Sequence, residues 1–207
     1  MVKLDRESIY NYKHRKLKKN IGILGGTFDP PHFGHLRISI RALHLLKLDE
    51  IWWVVSMSNP LKKNKQITEF NKRFCKVKNF INHHRIVVSD IENRLNTQYT
   101  SDVILFLKKN YVNTNFIWLM GIDNLDKFHL WKDWKFIINN IPIVIFDRPY
   151  YTLNILKNSS FSFFKTKRIR SNQVSIFRKM KHPRWIFLTG WSKHVSSSLI
   201  NEYNNKK

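Results

Sequence analysis

The sequence contains little cysteine, little acid and no long apolar segment. Its single cysteine, Cys75, excludes an internal disulfide and fits a reducing compartment. No apolar run approaches the roughly 18 residues that a membrane-spanning helix needs. The longest runs, such as 51–55 and 141–146, have the length of buried strands instead. We therefore expect a cytoplasmic protein without a membrane partner.

The shortage of acid leaves the chain strongly basic. Lys and Arg total 37 against 14 Asp and Glu, which gives a formal net charge of +23 and a pI near 10.3. Such an excess attracts polyanions, whether nucleotides, nucleic acid or an acidic membrane surface. The basic residues are scattered, however, from 13–19 to Lys206, without one dense stripe. Because dispersed charge sets solubility and steering more than function, we expect no nucleic-acid partner.

The length and composition suit one packed domain. The chain has 207 residues, of which 43% are hydrophobic and 14% aromatic. Residues 1–20 form a basic segment that has no apolar core of secretory type and contains Asp5 and Glu7. We expect a lead-in at 1–20, a single domain over 21–207, and a long irregular excursion within it at 150–181.

Apolar runs alternate with amphipathic stretches along this domain. The runs are rich in Ile, Val, Trp and Phe with little polar alternation, which predicts strands covered on both faces at 21–24, 51–55, 85–88, 116–120, 142–146 and 185–188. The spacing of apolar residues predicts helices at 34–46, 70–82, 100–109 and, rich in tryptophan, 125–139. The alternation predicts an α/β fold, a doubly wound parallel sheet of Rossmann-like type. Its ligand site should lie in the loops after Leu24, Val55, Met120 and Phe146, at the carboxyl ends of the strands.

The most informative segment follows the first strand directly. It is residues 25–35, Gly-Gly-Thr-Phe-Asp-Pro-Pro-His-Phe-Gly-His. Two glycines let backbone amides approach a ligand, and the proline pair halts the strand and prepares a helix. That helix presents its free N–H groups and positive dipole end to an anion. His32 and His35, three residues apart, can project from one side of its first turn, and Gly34 leaves room for a phosphate.

The chemistry that suits this arrangement is nucleotidyl transfer. Negative charge develops around a phosphorus atom under in-line attack, and fixed donors lower that barrier. Two imidazoles can serve as hydrogen-bond donors without a covalent intermediate. We therefore regard His32 and His35 as the candidate catalytic residues.

The segment resembles the signature of the nucleotidyltransferases that share an HxGH element with class I aminoacyl-tRNA synthetases. Its full form resembles the bacterial nicotinate-nucleotide adenylyltransferases in particular. The resemblance runs from about residue 21 to about residue 200, and further elements follow in the family's order: Ser89–Glu92 with Tyr99-Thr100, Met120–Leu125, Phe128–Trp134, Asp147–Pro149 and Ser196–Ser198. It implies transfer of AMP from ATP to nicotinate mononucleotide, giving nicotinate adenine dinucleotide and pyrophosphate, with Mg²⁺ carried on the triphosphate.

The same resemblance implies roles on the ATP side of the site. His32 and His35 would bind the phosphates and stabilise the transition state, and Asp123 would contact the ribose. The residues implied to bind ATP are Gly25, Gly26, Thr27, Phe28, Gly34, Gly121, Asp123, Ser196, Ser197 and Ser198. A helix N-cap is the competing interpretation of Asp123. No residue is predicted to be a metal ligand.

On the acceptor side, Thr100 would hydrogen-bond the pyridine ring and Trp131 would stack on it. Core packing is the competing interpretation of Trp131. Arg148 would lie near a phosphate. Lys62 falls where the family has a lysine after a proline-containing loop, although this loop is altered.

The chain departs from the family's pattern at one late position, and two alternatives stay open. Asn201 stands where the family has an arginine, so either another cation, Lys193, Arg168 or Arg170, compensates or ATP is held more weakly, and we expect compensation. One alternative is another phosphate acceptor, nicotinamide mononucleotide or phosphopantetheine; the pantetheine enzymes usually have threonine at the place of His32. The other is a basic nucleic-acid-binding module in which the HxGH turn is vestigial.

Overall fold

The computed structural model describes residues 19–58, 68–125, 127–147, 168–174, 177 and 183–189. Within these ranges all strands join one parallel sheet of order β3-β2-β1-β4-β5-β7-β6. The strands are β1 (Lys19–Gly26), β2 (Glu50–Val55), β3 (Ile86–Ser89), β4 (Thr114–Gly121), β5 (Ile143–Phe146), β6 (Arg168–Ile169) and β7 (Trp185–Leu188). The strand order reverses at β1, which pairs with β2 on one side and β4 on the other. The predicted doubly wound sheet is confirmed, and its switch point lies at the carboxyl ends of β1 and β4.

Helices cover both faces of the sheet. They are α1 (Phe33–Leu45), α2 (Phe70–Phe80), α3 (Ile91–Leu95), α4 (Thr100–Asn110), α5 (Ile122–Leu125) and α6 (Trp134–Asn140), with short 3-10 turns at Phe128–Leu130 and Ser171–Gln173. Adjacent strand residues enter opposite cores: Trp52 packs in the cluster that contains Val103 of α4, and Trp53 in the cluster that contains Leu36 of α1. Because both faces of these strands are buried, their sequences show no alternation of polar and apolar residues. Among the described residues, no helix is long and apolar enough to cross a membrane.

The single helix predicted over 125–139 is wrong. The chain there is divided into α5, the 3-10 turn and α6. Trp131 has an extended backbone, with ψ 141°, and Asp133 has a left-handed one, with φ 53°. These two conformations interrupt the helical hydrogen bonding, and they leave Trp131 between the elements instead of on a helix face.

Two short elements were not expected from the sequence. Helix α3 has five residues, and strand β6 has two and lies inside the segment 150–181 that was predicted to be irregular. Elements of this length contain too few residues to produce a periodic pattern.

Residues 1–18 lie outside the described ranges, so the boundary of the lead-in stays a prediction.

Candidate active site

A cavity of about 300 Å³ lies at the carboxyl ends of β1 and β2. The turn after β1, the loop after β2, the start of α4 and the chain around Trp131 supply its walls. The sequence predicted five of the lining residues, Gly25, Gly26, Thr27, Thr100 and Trp131, and the structure brings these together. The residues that line the cavity without a role predicted from the sequence are Ser56, Ser58, Glu92, Gln98, Tyr99, Trp118, Asn124, Leu130 and Lys132.

Aromatic rings form one side of this cavity. Trp131 meets Trp118 edge to face, with ring centroids 6.2 Å apart, and packs on Phe128 at 5.1 Å. The ring of Trp131 therefore packs against the core, as the competing interpretation has it, and also lines the cavity; its stacking on a pyridine ring stays a prediction. A Cβ atom on Gly25 would lie 2.8 Å from the Trp118 ring. Glycine at this position is what allows the indole to lie against the end of β1.

The two histidines of the turn stack on each other at the start of α1. Their ring centroids are 3.7 Å apart, and each Nδ1 atom accepts a backbone N–H: His32 Nδ1 from Gly34 at 3.1 Å, and His35 Nδ1 from His32 at 3.3 Å. His32 is thereby the N-cap of α1, and the two bonds form a reciprocal capping box. Because an accepting Nδ1 carries no proton, the neutral rings hold theirs on Nε2. The capping bonds thus fix the tautomer in which Nε2 is the hydrogen-bond donor.

Gly34 has a use that the sequence did not indicate. A Cβ atom there would lie 2.8 Å from His32 Nδ1. The space that glycine leaves is therefore needed by the imidazole that caps the helix. The expectation that Gly34 makes room for a phosphate stays a prediction.

Phe28 supports the histidine turn from behind. Its ring is 1% exposed, stacks on Trp53 at 4.8 Å and meets the edge of the His35 ring at 4.8 Å. Its backbone has φ 48°, a conformation that is uncommon for a large residue and marks a tight turn. The side chain therefore orients His35, and any contact of Phe28 with a nucleotide is left to its backbone.

Glu92 places a carboxyl group in the cavity wall. Its side chain is buried, and Oε2 accepts the Met57 amide at 2.9 Å. Burial raises the pKa of this carboxyl to about 7, and the Met57 amide and the Arg73 guanidinium oppose the rise only in part. Charged groups with strongly shifted pKa values are frequent at functional sites. The sequence signal that could have found Glu92 is its place just after a buried strand, at the edge where parallel strands end.

Two further groups in the wall have no hydrogen-bond partner among the described residues. They are the Ser56 hydroxyl and the Trp118 indole nitrogen, both buried. Buried polar groups are satisfied in most native structures, so unsatisfied ones in a cavity wall are candidates for ligand contacts.

Lys132 is the positively charged residue among the described residues that line the cavity. Its Nζ lies 3.3 Å from Asp102 Oδ1 and 4.4 Å from the centroid of the Tyr99 ring. Both contacts hold the ammonium group near the start of α4. Lys132 follows Trp131 directly in sequence, which is the signal that could have found it.

The other predicted residues are distributed around the cavity or lie outside the described ranges. Gly121 ends β4 beside Phe146, and Asp123 lies inside α5, so it is not the N-cap that the competing interpretation required. The predicted residues outside the described ranges are Lys62, Arg148, Ser196, Ser197 and Ser198.

The described residues do not determine which cation compensates for Asn201. Arg168 pairs with Trp185, the first residue of β7, and its guanidinium lies 5.5 Å from the centroid of that ring. That position is three residues short of the carboxyl end of β7. At the carboxyl end, Arg41 of α1 donates to the carbonyl of Thr189, which precedes Ser196 by seven residues in the sequence. Arg41 is therefore a further candidate that the sequence did not indicate.

No group of three or more His, Cys, Asp or Glu side chains that could hold a metal ion occurs within the part of the chain that the structure describes. Mg²⁺ keeps several waters and is usually bound through one or two carboxylates together with substrate phosphates.

The chain is similar in sequence to known proteins over most of its length. Residues 23–202 match the family described as cytidylyltransferase-like. A protein of Ruegeria sp. (strain TM1040), named probable nicotinate-nucleotide adenylyltransferase, is 37% identical over 182 residues, which are 88% of this chain and 96% of that protein. A protein of the same name from Agrobacterium fabrum is 35% identical over 187 residues, 90% of this chain and 99% of that protein.

The fold also resembles a solved structure. It is that of Plasmodium falciparum nicotinic acid mononucleotide adenylyltransferase complexed with NaAD, with a TM-score of 0.63 and 20% identity over 84% of this chain and 76% of that chain. The sheet and the matched family define the class, a cytidylyltransferase-like nucleotidyltransferase. Within that class, the chain belongs to the nicotinate-nucleotide adenylyltransferase family.

Proposed function

We propose that the protein transfers AMP from ATP to nicotinate mononucleotide, and that the histidine turn and the adjoining cavity are the site of this reaction. The observation that carries the proposal is the stacked pair His32 and His35, whose Nδ1 atoms are both occupied by backbone N–H groups at the start of a helix. The pair lies on the turn that also lines an aromatic cavity at the switch point of a parallel sheet. Such edges are where this class of sheet binds nucleotides.

The reaction needs little covalent chemistry from the protein. A phosphate oxygen of nicotinate mononucleotide attacks the α-phosphorus of ATP, a new O–P bond forms, and the bond to pyrophosphate breaks. The Nε2–H groups of His32 and His35 and the N-terminal amides of α1 donate to the phosphate oxygens on which charge increases. Mg²⁺, carried on the triphosphate, supplies further neutralisation of that charge when it is bound. Gly34, Gly121, Asp123 and Ser196–Ser198 complete the proposed ATP side.

The cavity holds the acceptor in this proposal. Trp131 stacks on the pyridine ring and Thr100 hydrogen-bonds it, while the Ser56 hydroxyl and the Trp118 indole N–H supply the polar contacts that they lack in the described residues. Lys62 as a substrate-binding residue and Arg148 near a phosphate are part of the proposal, although both lie outside the described ranges. Reaction in the cytoplasm, as expected from the sequence, belongs to the same proposal.

We predict that no covalent adenylyl-enzyme forms. In the described cavity lining the Lys132 ammonium is ion-paired with Asp102, the Ser58 hydroxyl donates to the Gln98 side-chain oxygen, and the Ser56 hydroxyl has no hydrogen-bond partner among the described residues, so neither serine is held by a general base that would activate it as a nucleophile. Protein incubated with α-labelled ATP and Mg²⁺ without acceptor should carry no label after denaturation. A label that survives on a side chain would contradict direct transfer.

Lys132 should contribute to the choice of nicotinate over nicotinamide. The two acceptors differ by a carboxylate, and Lys132 is the cation of the described lining beside Thr100 and Trp131. Lys132→Met should raise the KM for nicotinate mononucleotide about fivefold, which corresponds to about 1 kcal/mol for a solvent-exposed charge pair. The KM for ATP and the kcat/KM for nicotinamide mononucleotide should change little.

The matched control is Lys135→Met. Like Lys132, Lys135 lies over an aromatic ring, here the indole of Trp134 with its centroid at 5.7 Å, but it does not line the cavity. It should leave both acceptors unaffected. If the ratio of kcat/KM for the two acceptors is the same in Lys132→Met as in the wild type, Lys132 does not recognise the carboxylate.

A further inference from the structure

Arg73 of α2 is buried although no ligand contact has been assigned to it. Its side chain is 1% exposed, among the least exposed of the large side chains that the structure describes. Its guanidinium donates four hydrogen bonds, all to backbone carbonyl oxygens. Burial lowers the pKa of this guanidinium, and the charges of Asp29 and Glu92 oppose that change. A buried charge of this kind is costly, so it calls for an explanation other than packing.

The four carbonyls belong to three separate segments of the chain. Nη1 donates to Thr27 in the turn after β1 and to Ser56 in the loop after β2, both at 2.8 Å. Nη2 donates to Met57 at 2.9 Å, and Nε to Thr68 at 2.7 Å, just before α2 begins. The planar fork of arginine can satisfy acceptors in several directions at once, which the single ammonium of lysine cannot do.

Two of these segments form walls of the cavity. Thr27 and Ser56 line it themselves, and Met57 lies between the lining residues Ser56 and Ser58. Met57 is held from both sides, since its carbonyl accepts from Arg73 and its amide donates to Glu92. Among the described residues, the loop after β2 is also tied to the β1 end by the bond from the Ser56 amide to the Gly26 carbonyl at 2.9 Å, and the Thr68 amide and hydroxyl donate to the Asp29 carboxylate in the turn after β1.

We infer that Arg73 is a positioning residue for adenylyl transfer, which sets the distance between the turn after β1 and the loop after β2 and thereby the shape of the acceptor cavity. The inference rests on the proposed function of that cavity. Arg73 touches neither substrate in this account. It acts through Thr27 and Ser56, the second of which presents an unsatisfied buried hydroxyl to the cavity.

The test is the kinetics of Arg73→Lys, which keeps the charge and loses the fork. At a temperature well below the unfolding transition, kcat/KM should fall at least about tenfold, because a displacement on the order of 1 Å at a reacting site costs up to about a hundredfold. Both KM for nicotinate mononucleotide and kcat should change. A role in folding alone would lower the melting temperature and leave both kinetic constants of the folded protein unchanged.

Arg85→Lys is the matched control. Arg85 likewise donates to backbone carbonyls, those of Leu48 and Asp49, but near the amino-terminal ends of β2 and β3, away from the cavity. Its replacement should lower stability without changing kcat/KM. If Arg73→Lys and Arg85→Lys have the same kinetic constants as the wild type, the positioning role is wrong.

The kinetic constants of these variants are measured by pyrophosphate release, and the activity of the wild type in that assay separates this inference from the proposed function. If the wild type is inactive, the proposed function is wrong. If the wild type is active and Arg73→Lys is equally active, only the role inferred for Arg73 is wrong. An insoluble Arg73→Lys would be replaced by Arg73→Gln in the same comparison. If neither variant folds while Arg85→Lys does, Arg73 maintains the fold as a whole and the inference is overturned.

Discussion

Replacing His35 with alanine should lower kcat about a hundredfold or more. The loss of one preorganised donor to a developing negative charge costs that much in enzymes that stabilise an oxyanion. His35 keeps its Nδ1 occupied by the His32 amide and its ring against Phe28, so its Nε2–H is oriented before substrate binds. The measurement is steady-state pyrophosphate release at saturating ATP and nicotinate mononucleotide.

His44→Ala is the control for this effect. His44 is exposed and lies in the last turn of the same helix, so its removal should leave kcat unchanged. If His35→Ala has the same kcat as the wild type, the histidine turn is not part of the active site.

His32 requires a different substitution because it is also the helix cap. Its side chain accepts the Gly34 amide, so His32→Ala would combine a loss of donor with a loss of capping that is worth about 1 kcal/mol. Asparagine restores the cap without an imidazole. His32→Asn should therefore keep the melting temperature near that of the wild type and still lose about a hundredfold in kcat. Recovery of activity together with stability would mean that His32 serves only as a cap.

The stability of the protein should fall as pH rises from 5 to 8 because of Glu92. Burial raises its pKa from 4.5 to about 7, so the folded state binds more protons than the unfolded state between these values. The contribution of this group to stability is complete below pH 4.5 and is lost as the pH rises through about 7. The full difference corresponds to about 3 kcal/mol, since each pKa unit is worth about 1.4 kcal/mol.

Urea unfolding at pH 5 and pH 8 measures this effect. Glu92→Gln keeps an acceptor for the Met57 amide but does not titrate. Because pH 5 already lies above the unfolded-state pKa of 4.5, its free energy of unfolding should fall about 2 to 3 kcal/mol less than that of the wild type over this range. Glu69→Gln, at an exposed position at the start of α2, should retain the wild-type dependence. Parallel pH dependences for the wild type and Glu92→Gln would show that Glu92 titrates alike in both states.

The fold could be predicted from the sequence where both faces of an element are buried. The runs that became β2, β4 and β5 are apolar throughout because helices cover each side of the sheet, and all six predicted strands are confirmed. The prediction failed where local backbone conformation overrides side-chain pattern. The left-handed Asp133 divides a stretch whose aromatic spacing resembles a helix, and that division exposes Trp131 to the cavity.

The site was predictable only in its consecutive part. The turn over 25–35 combines glycines, prolines and histidines whose chemistry can be read without a structure. Glu92, Lys132 and Ser56 come from three distant segments, and only the register of parallel strands brings them to one cavity. Arg73 was missed for a related reason, because its partners are backbone carbonyls, which leave no signal in the identity of the residues.

The most direct test of the central claim is a comparison of phosphate acceptors. Purified protein with ATP and Mg²⁺ is offered nicotinate mononucleotide, nicotinamide mononucleotide and phosphopantetheine separately, and pyrophosphate release and the dinucleotide product are both measured. Nicotinate mononucleotide should give the highest kcat/KM, by on the order of a hundredfold, because a polar site rejects a ligand that leaves its buried groups unpaired. A higher kcat/KM with either other acceptor, or no pyrophosphate with any of them, would contradict the account.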